Sequence, residues 1–218
     1  MLSINFKIKN IDYDSLIKIG LPILKANSID IDTKKLKNKI IKKTLEPLLK
    51  ADESSIVEIL ETIPISLKRF LAIKIITKSH IKIEKFANSL AESQDLILTI
   101  SNIFVEKEEA ENADSLLLGC DIVEIDYNSF IKKFLPTVHF DNTENEMNLF
   151  LNALLPALIS EYSSIERIIN SIDASILERF IVYLINQNKA KIQEFITIRI
   201  NEKGIKLIID SMLIERIV

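Results

Sequence analysis

Polar and apolar residues alternate at the start of the chain. Ile4, Phe6 and Ile8 are interleaved with Ser3, Asn5 and Lys7, the two-residue period of a strand with one buried face. After Ile11 the period lengthens. Asp12 precedes a helix-like run, which makes it an N-cap, and Pro22 is expected to end or kink that helix at the residue before it. Helical spacing then predicts helices at 32–50, 53–62, 65–79, 81–92 and 95–107. A second alternating stretch, Leu118, Cys120 and Ile122, starts the series again. Asp126 caps the next run and Pro136 closes it, and helices are predicted at 143–160, 162–171, 174–188, 190–200 and 203–216. Pro47 and Pro156 interrupt the long second helix of each series. Pro64 suits a helix start by its fixed φ and Asp173 by capping.

The two series are copies of one unit. Ile11 to Pro22 lies over Ile125 to Pro136 at an offset of 114 residues, with eight of twelve positions identical, including the string Asp-Tyr-x-Ser. Farther along, Pro47 aligns with Pro156, Ser54-Ser55-Ile56 with Ser163-Ser164-Ile165 and Lys85-Phe86 with Glu194-Phe195, at an offset of 109. A chain rich in Ile, Leu and Lys aligns with itself by chance, but chance does not pair its prolines. Phe195-Ile-Thr-Ile-Arg-Ile200 has the look of a strand, yet its counterpart Phe86-Ala-Asn-Ser-Leu90 reads as helix, so both are expected to be helical.

The expected fold is mostly α with a minor α+β character. It has two homologous halves, each one strand followed by about five to six helices, arranged about a pseudo-twofold axis. The first repeat spans 1–105, an acidic linker 106–114 and the second repeat 115–218, the repeats packed as one globular unit. A lone strand is not stable. The two strands therefore pair antiparallel across the axis, or each pairs with a second chain. A period near 110 residues is far from the ~34–47 of common helical arrays, so no repeat family lends a function.

Composition narrows the chemistry. The chain of 218 residues has three glycines, Gly20, Gly119 and Gly204, far apart. A phosphate-binding Walker loop, a dinucleotide fingerprint and a G-x-S-x-G elbow each need closely spaced glycines, and none can be written here. Gly20 aligns with Phe134 and Gly119 with Asn5, so neither is expected to mark a backbone position the fold requires; Gly204, opposite Asp95, is read as a bend between two helices. The single cysteine, Cys120, allows no internal disulfide and suits a cytoplasmic setting. The N-terminus lacks the continuous apolar core of a signal peptide, and the longest uncharged stretch, Met147 to Ser160, is too short to span a membrane. The net charge is −3, split as +3 over residues 1–110 and −6 over 111–218, which offers nucleic acid no overall attraction.

Candidate chemistry is sparse. His80 and His139 lack partners at metal-ligand spacing, and no nucleophile motif accompanies them. Asp12-Tyr13-Asp14 and Asp126-Tyr127-Asn128 would form an acidic, tyrosine-lined magnesium site if they met near the axis, but capping explains both aspartates without a ligand. Lys34, Lys35, Lys37, Lys39, Lys42 and Lys43 share a helix with an apolar stripe that leaves most of them on the opposite face. That face suits anions, yet it has neither arginine for bidentate phosphate contacts nor aromatics for stacking. In the second copy Leu151, Leu155 and Ile159 stand opposite Lys42, Glu46 and Lys50, and with Phe150 they leave the helix apolar nearly all round. Such a helix is buried on every side or meets a partner.

These features predict a cytoplasmic, non-catalytic protein-protein interaction or scaffold protein, with a protein partner or self-association through Phe150, Leu151, Leu155 and Ile159. A nucleic-acid contact through Lys34, Lys35, Lys39, Lys42 and Lys43 is the alternative. A small apolar ligand held between helices is the third reading. No cofactor, metal or catalytic residue is assigned.

Overall fold

The computed structural model describes residues 1–26, 46–52, 55–107, 115–134 and 162–216, the side chains of 162–165 and 168 excepted. The first half runs β1 (Leu2–Lys9), α1 (Tyr13–Ala26), a helical turn at 46–50, α2 (Ile56–Thr62), α3 (Ile65–Lys78), α4 (His80–Glu92) and β2 (Leu98–Lys107). The second repeats it as β3 (Leu116–Ile125), α5 (Tyr127–Phe134), α6 (Tyr162–Ser171), α7 (Ala174–Gln187), α8 (Lys189–Asn201) and β4 (Ile208–Arg216).

The last element of each half is therefore a strand, where helices were expected at 95–107 and 203–216. The fold is α+β around one four-stranded antiparallel sheet, not a mostly α fold with two strands. Bulges account for the misreading. In β2 the register on β3 slips between Thr99 and Ile100 and again between Ser101 and Phe104, with Asn102 at φ 53°. The inward apolar residues of β2 consequently fall at 98, 100 and 103, and the buried residues of β4 at 209, 212 and 214, its own register slipping where it meets Lys7 and Ile8. A bulge inserts one residue and turns a spacing of two into a spacing of three. Three-residue spacing is what an amphipathic helix shows.

The strand order β2-β3-β1-β4 interlaces the halves. β1 pairs with β3 at the centre, and each half's last strand pairs with the other half's first strand. At the midpoint of β1 and β3, Asn5 pairs with Gly119, which is its own counterpart at the 114-residue offset, and pairs on either side are related symmetrically. The pseudo-twofold axis thus passes through Asn5 and Gly119, perpendicular to the sheet. Two backbone bonds repeat the symmetry: the Asp12 amide donates to the Lys206 carbonyl and the Asp126 amide to the Ile97 carbonyl, both at 2.8 Å. Each half's strand-to-helix junction is tied to the other half's helix-to-strand turn.

The helices lie on one face of the sheet. Leu2, Ile4, Phe6 and Ile8 of β1, with Cys120 and Ile122 of β3, form one core with Phe130, Phe180 and Leu184 of the second-half helices. A second core gathers Leu16, Ile17 and Leu21 of α1 with Leu60, Leu71 and Ile75 of α2 and α3. α1 does not stop at Pro22; it continues to Ala26. Pro22 and Lys18 are both exposed, so the carbonyl that loses its helical partner faces solvent rather than core. No helix among the described residues is long and apolar enough to cross a membrane.

Candidate functional site: an apolar cavity on the pseudo-twofold axis

α4 and α8 are equivalent helices, and neither contains a fully buried residue. Their apolar positions still recur at three and four residues, as in Ile83, Phe86, Ala87 and Leu90, or Ile192, Phe195 and Ile196. The two helices lean over the sheet without closing on it. Each is fastened to an edge strand at its bulge, where ladder bonds are lost. On α4, Asn88 Oδ1 accepts from the Ile100 amide at 2.7 Å and its Nδ2 donates to the Ile100 carbonyl at 3.0 Å. On α8, Thr197 Oγ1 accepts from the Ile209 amide at 3.3 Å, at equivalent positions in the repeat.

Beneath them lies a cavity of about 420 Å³, partly open to solvent and walled almost wholly by carbon. Its floor is made of counterpart pairs from the central strands: Ile4 with Leu118, Phe6 with Cys120, Ile8 with Ile122. Its walls repeat the pattern, with Ile83 and Ile192, Phe86 and Phe195, and Ala87 and Ile196 drawn from α4 and α8. Lys203 sits 5.8 Å from the Phe86 ring centroid and Arg199 5.3 Å from that of Phe195, so the aromatic walls carry cations on their outer sides. The duplication therefore assembles one site from two copies of the same surface.

Symmetry fails at one end. Phe130, Lys133 and Phe134 of α5 and Asn188 and Lys191 at the start of α8 extend the cavity into the second half. At the matching end of the first half, the counterparts Leu16, Ile19, Gly20 and Lys82 are not among the lining residues. Gly20 stands where the second copy has Phe134, and a Cβ on it would overlap the Ile75 side chain, so α1 and α3 meet there without a gap. Among the described residues, the polar side chains lining the cavity are Gln94, Lys133, Asn188 and Lys191, with no carboxylate beside them. Asn188 is already engaged, its Nδ2 donating to the Leu184 carbonyl at 3.0 Å. Burial, with a smaller push from Asp121, raises the Cys120 thiol to about 12, so the floor presents a neutral, weakly nucleophilic sulfur.

The residues singled out from the sequence fare unevenly. Asp12 and Asp126 follow β1 and β3, which run antiparallel, so they lie at opposite ends of the sheet and cannot share a cation. Asp12 instead accepts from the Ser15 amide at 3.1 Å and the Ser15 hydroxyl at 2.7 Å, and Asp126 accepts from the Asn128 amide at 2.9 Å. Asp14 pairs with Lys68 at 2.7 Å, joining α1 to α3. His80 is exposed at the start of α4, with Nδ1 2.9 Å from the Thr77 carbonyl. Lys34, Lys35, Lys39, Lys42 and Lys43, together with Phe150, Leu151, Leu155, Ile159 and His139, lie outside the described residues. Of the lining residues, the sequence singled out only Cys120 for its chemistry; Phe86, Phe134 and Phe195 served to align the two copies. The available signal was an apolar surplus with small residues, Ala87 and Ala91, on a helix that the repeat places beside the axis. Comparisons with protein families, curated proteins and solved structures find no match for this chain.

Proposed function

We propose that this protein binds a small, predominantly apolar molecule between its sheet and the helices α4 and α8. The observation behind this is the cavity itself. At about 420 Å³ it falls within the ~300–1,000 Å³ of small-molecule sites, and its few polar groups are gathered at one end. A partly open, apolar concavity between equivalent helices, with a few polar groups converging at one end, is the usual form of a small-ligand site. The proposed role is binding without chemistry, in keeping with a protonated thiol on the floor. Interaction with a protein or nucleic acid rests on side chains outside the described residues and draws no support from the fold.

Titration of the full chain with the neutral fluorophore N-phenyl-1-naphthylamine tests this reading. Saturable enhancement is expected at one site per chain. Ala87→Trp should abolish the enhancement while the far-ultraviolet circular dichroism is retained, because the indole fills the space. A full-length, folded chain that gives no saturable enhancement overturns the proposal.

A further inference from the structure

The cavity's asymmetry narrows the ligand class, given that the cavity is a ligand site. We infer that the occupant is a single-chain anionic amphiphile, an acyl or alkyl tail bearing one negatively charged head group. Its tail lies along the pseudo-twofold floor and its head sits between Lys133 and Lys191. The symmetric part of the lining is hydrocarbon and thiol, with nothing to orient a polar ligand. At the second-half end two exposed lysines line the cavity, and among the described lining residues no acidic side chain opposes them. Lys191 belongs to the first turn of α8, where the helix dipole adds positive potential, and Lys133 to the last turn of α5, where its own charge outweighs the partial negative end of that helix. Neither lysine has this setting in the first half: Ile19 aligns with Lys133, and Lys82, the counterpart of Lys191, does not line the cavity. The charge is thus a feature of one end only. A lysine whose stem follows an apolar wall and whose ammonium reaches solvent is suited to hold a head group at a mouth while the tail is buried.

Displacement of N-phenyl-1-naphthylamine from the full chain by dodecanoate, dodecanol and dodecyltrimethylammonium, each kept monomeric, separates tail from head. Dodecanoate is expected to displace the probe at about fivefold lower concentration than dodecanol, and the ammonium compound to be the weakest of the three. The double substitution Lys133→Gln with Lys191→Gln should erase the advantage of dodecanoate and leave dodecanol unchanged. Both lysines are exposed, so the variant keeps its fold. Added salt should reduce the dodecanoate preference alone. Equal displacement by all three head groups, or an advantage that survives the double substitution, overturns the anionic assignment while the cavity remains a ligand site. Failure of the neutral probe to bind at all is a different result and removes the earlier reading instead.

Discussion

Asp12 and Asp126 hold equivalent places and do one job with two geometries. Asp12 reaches the third residue of its helix, bonding the Ser15 amide and hydroxyl; Asp126 reaches only the second, bonding the Asn128 amide, while its Ser129 hydroxyl accepts from the Ile97 amide at 3.1 Å. The side-chain bond from Ser15 is the main cause that holds the Asp12 carboxyl below its ordinary value, against a smaller opposing effect of burial. A depressed carboxyl stabilises the fold above its unfolded pKa, and that contribution disappears as pH falls toward the folded one. Asp12→Ala should therefore cost about 1 kcal/mol near neutrality. Urea unfolding of both proteins should show the gap narrowing once the pH drops below about 4; a gap independent of pH would show that the cap does not act through its charge. The glycines are also informative at this scale. Gly20 and Gly119 have ordinary φ and are needed for space, since a Cβ at either would strike Ile75 or the ring of Phe104. Asp95 and Gly204, at matching positions, both have positive φ (59° and 82°) and turn a helix into a strand rather than into another helix.

The elements that escaped the sequence reading are the two edge strands. Their bulges shift the phase of alternation, and a two-residue period interrupted once in nine or ten residues resembles a helix. The central strands have no such break within Leu2–Lys7 and Leu117–Ile122, and they were legible from alternation alone. A bulge also leaves backbone groups without ladder partners, and α4 supplies them: Asn88 satisfies both the amide and the carbonyl of Ile100. Asn88→Leu removes both bonds and should destabilise the protein by about 2 kcal/mol, the range for stranding buried polar groups. Hydrogen exchange locates the effect. The Ile100 amide should lose protection far more than amides of the central strands, whereas uniform loss along β1 and β3 would mean that the bond is not specific to the edge.

At the scale of the molecule, the interlaced strand order makes the halves interdependent. β1 and β2 belong to one half yet are separated in the sheet by β3, so neither half has two neighbouring strands of its own. Fragments 1–107 and 115–218 are expected to remain without cooperative thermal transitions alone and to regain one on mixing. Separate, reversible transitions for each fragment would show that a half builds its own core. The same interlacing explains the cavity. The axis passes through the middle of the sheet, the counterpart helices α4 and α8 pack on the opposite edge strands β2 and β4, and the space between them takes its walls from both copies.

The sequence by itself determined the duplication, the central strands, the helix caps and the helical state of 195–200, because each depends on local periodicity or on residues compared across a fixed offset. It left three things to the tertiary structure. The edge strands depend on pairing partners distant in the chain, which override a helix-like pattern. The strand order depends on which half each edge joins, and two copies alike in sequence contain no local instruction for that choice. The cavity depends on how two helices stand over a sheet, and the consequence of having Gly20 against Ile75 in one half and Phe134 in the cavity wall in the other exists only once the helices are packed. Local chemistry fixes what each segment is, whereas the volume left between segments is a property of their assembly.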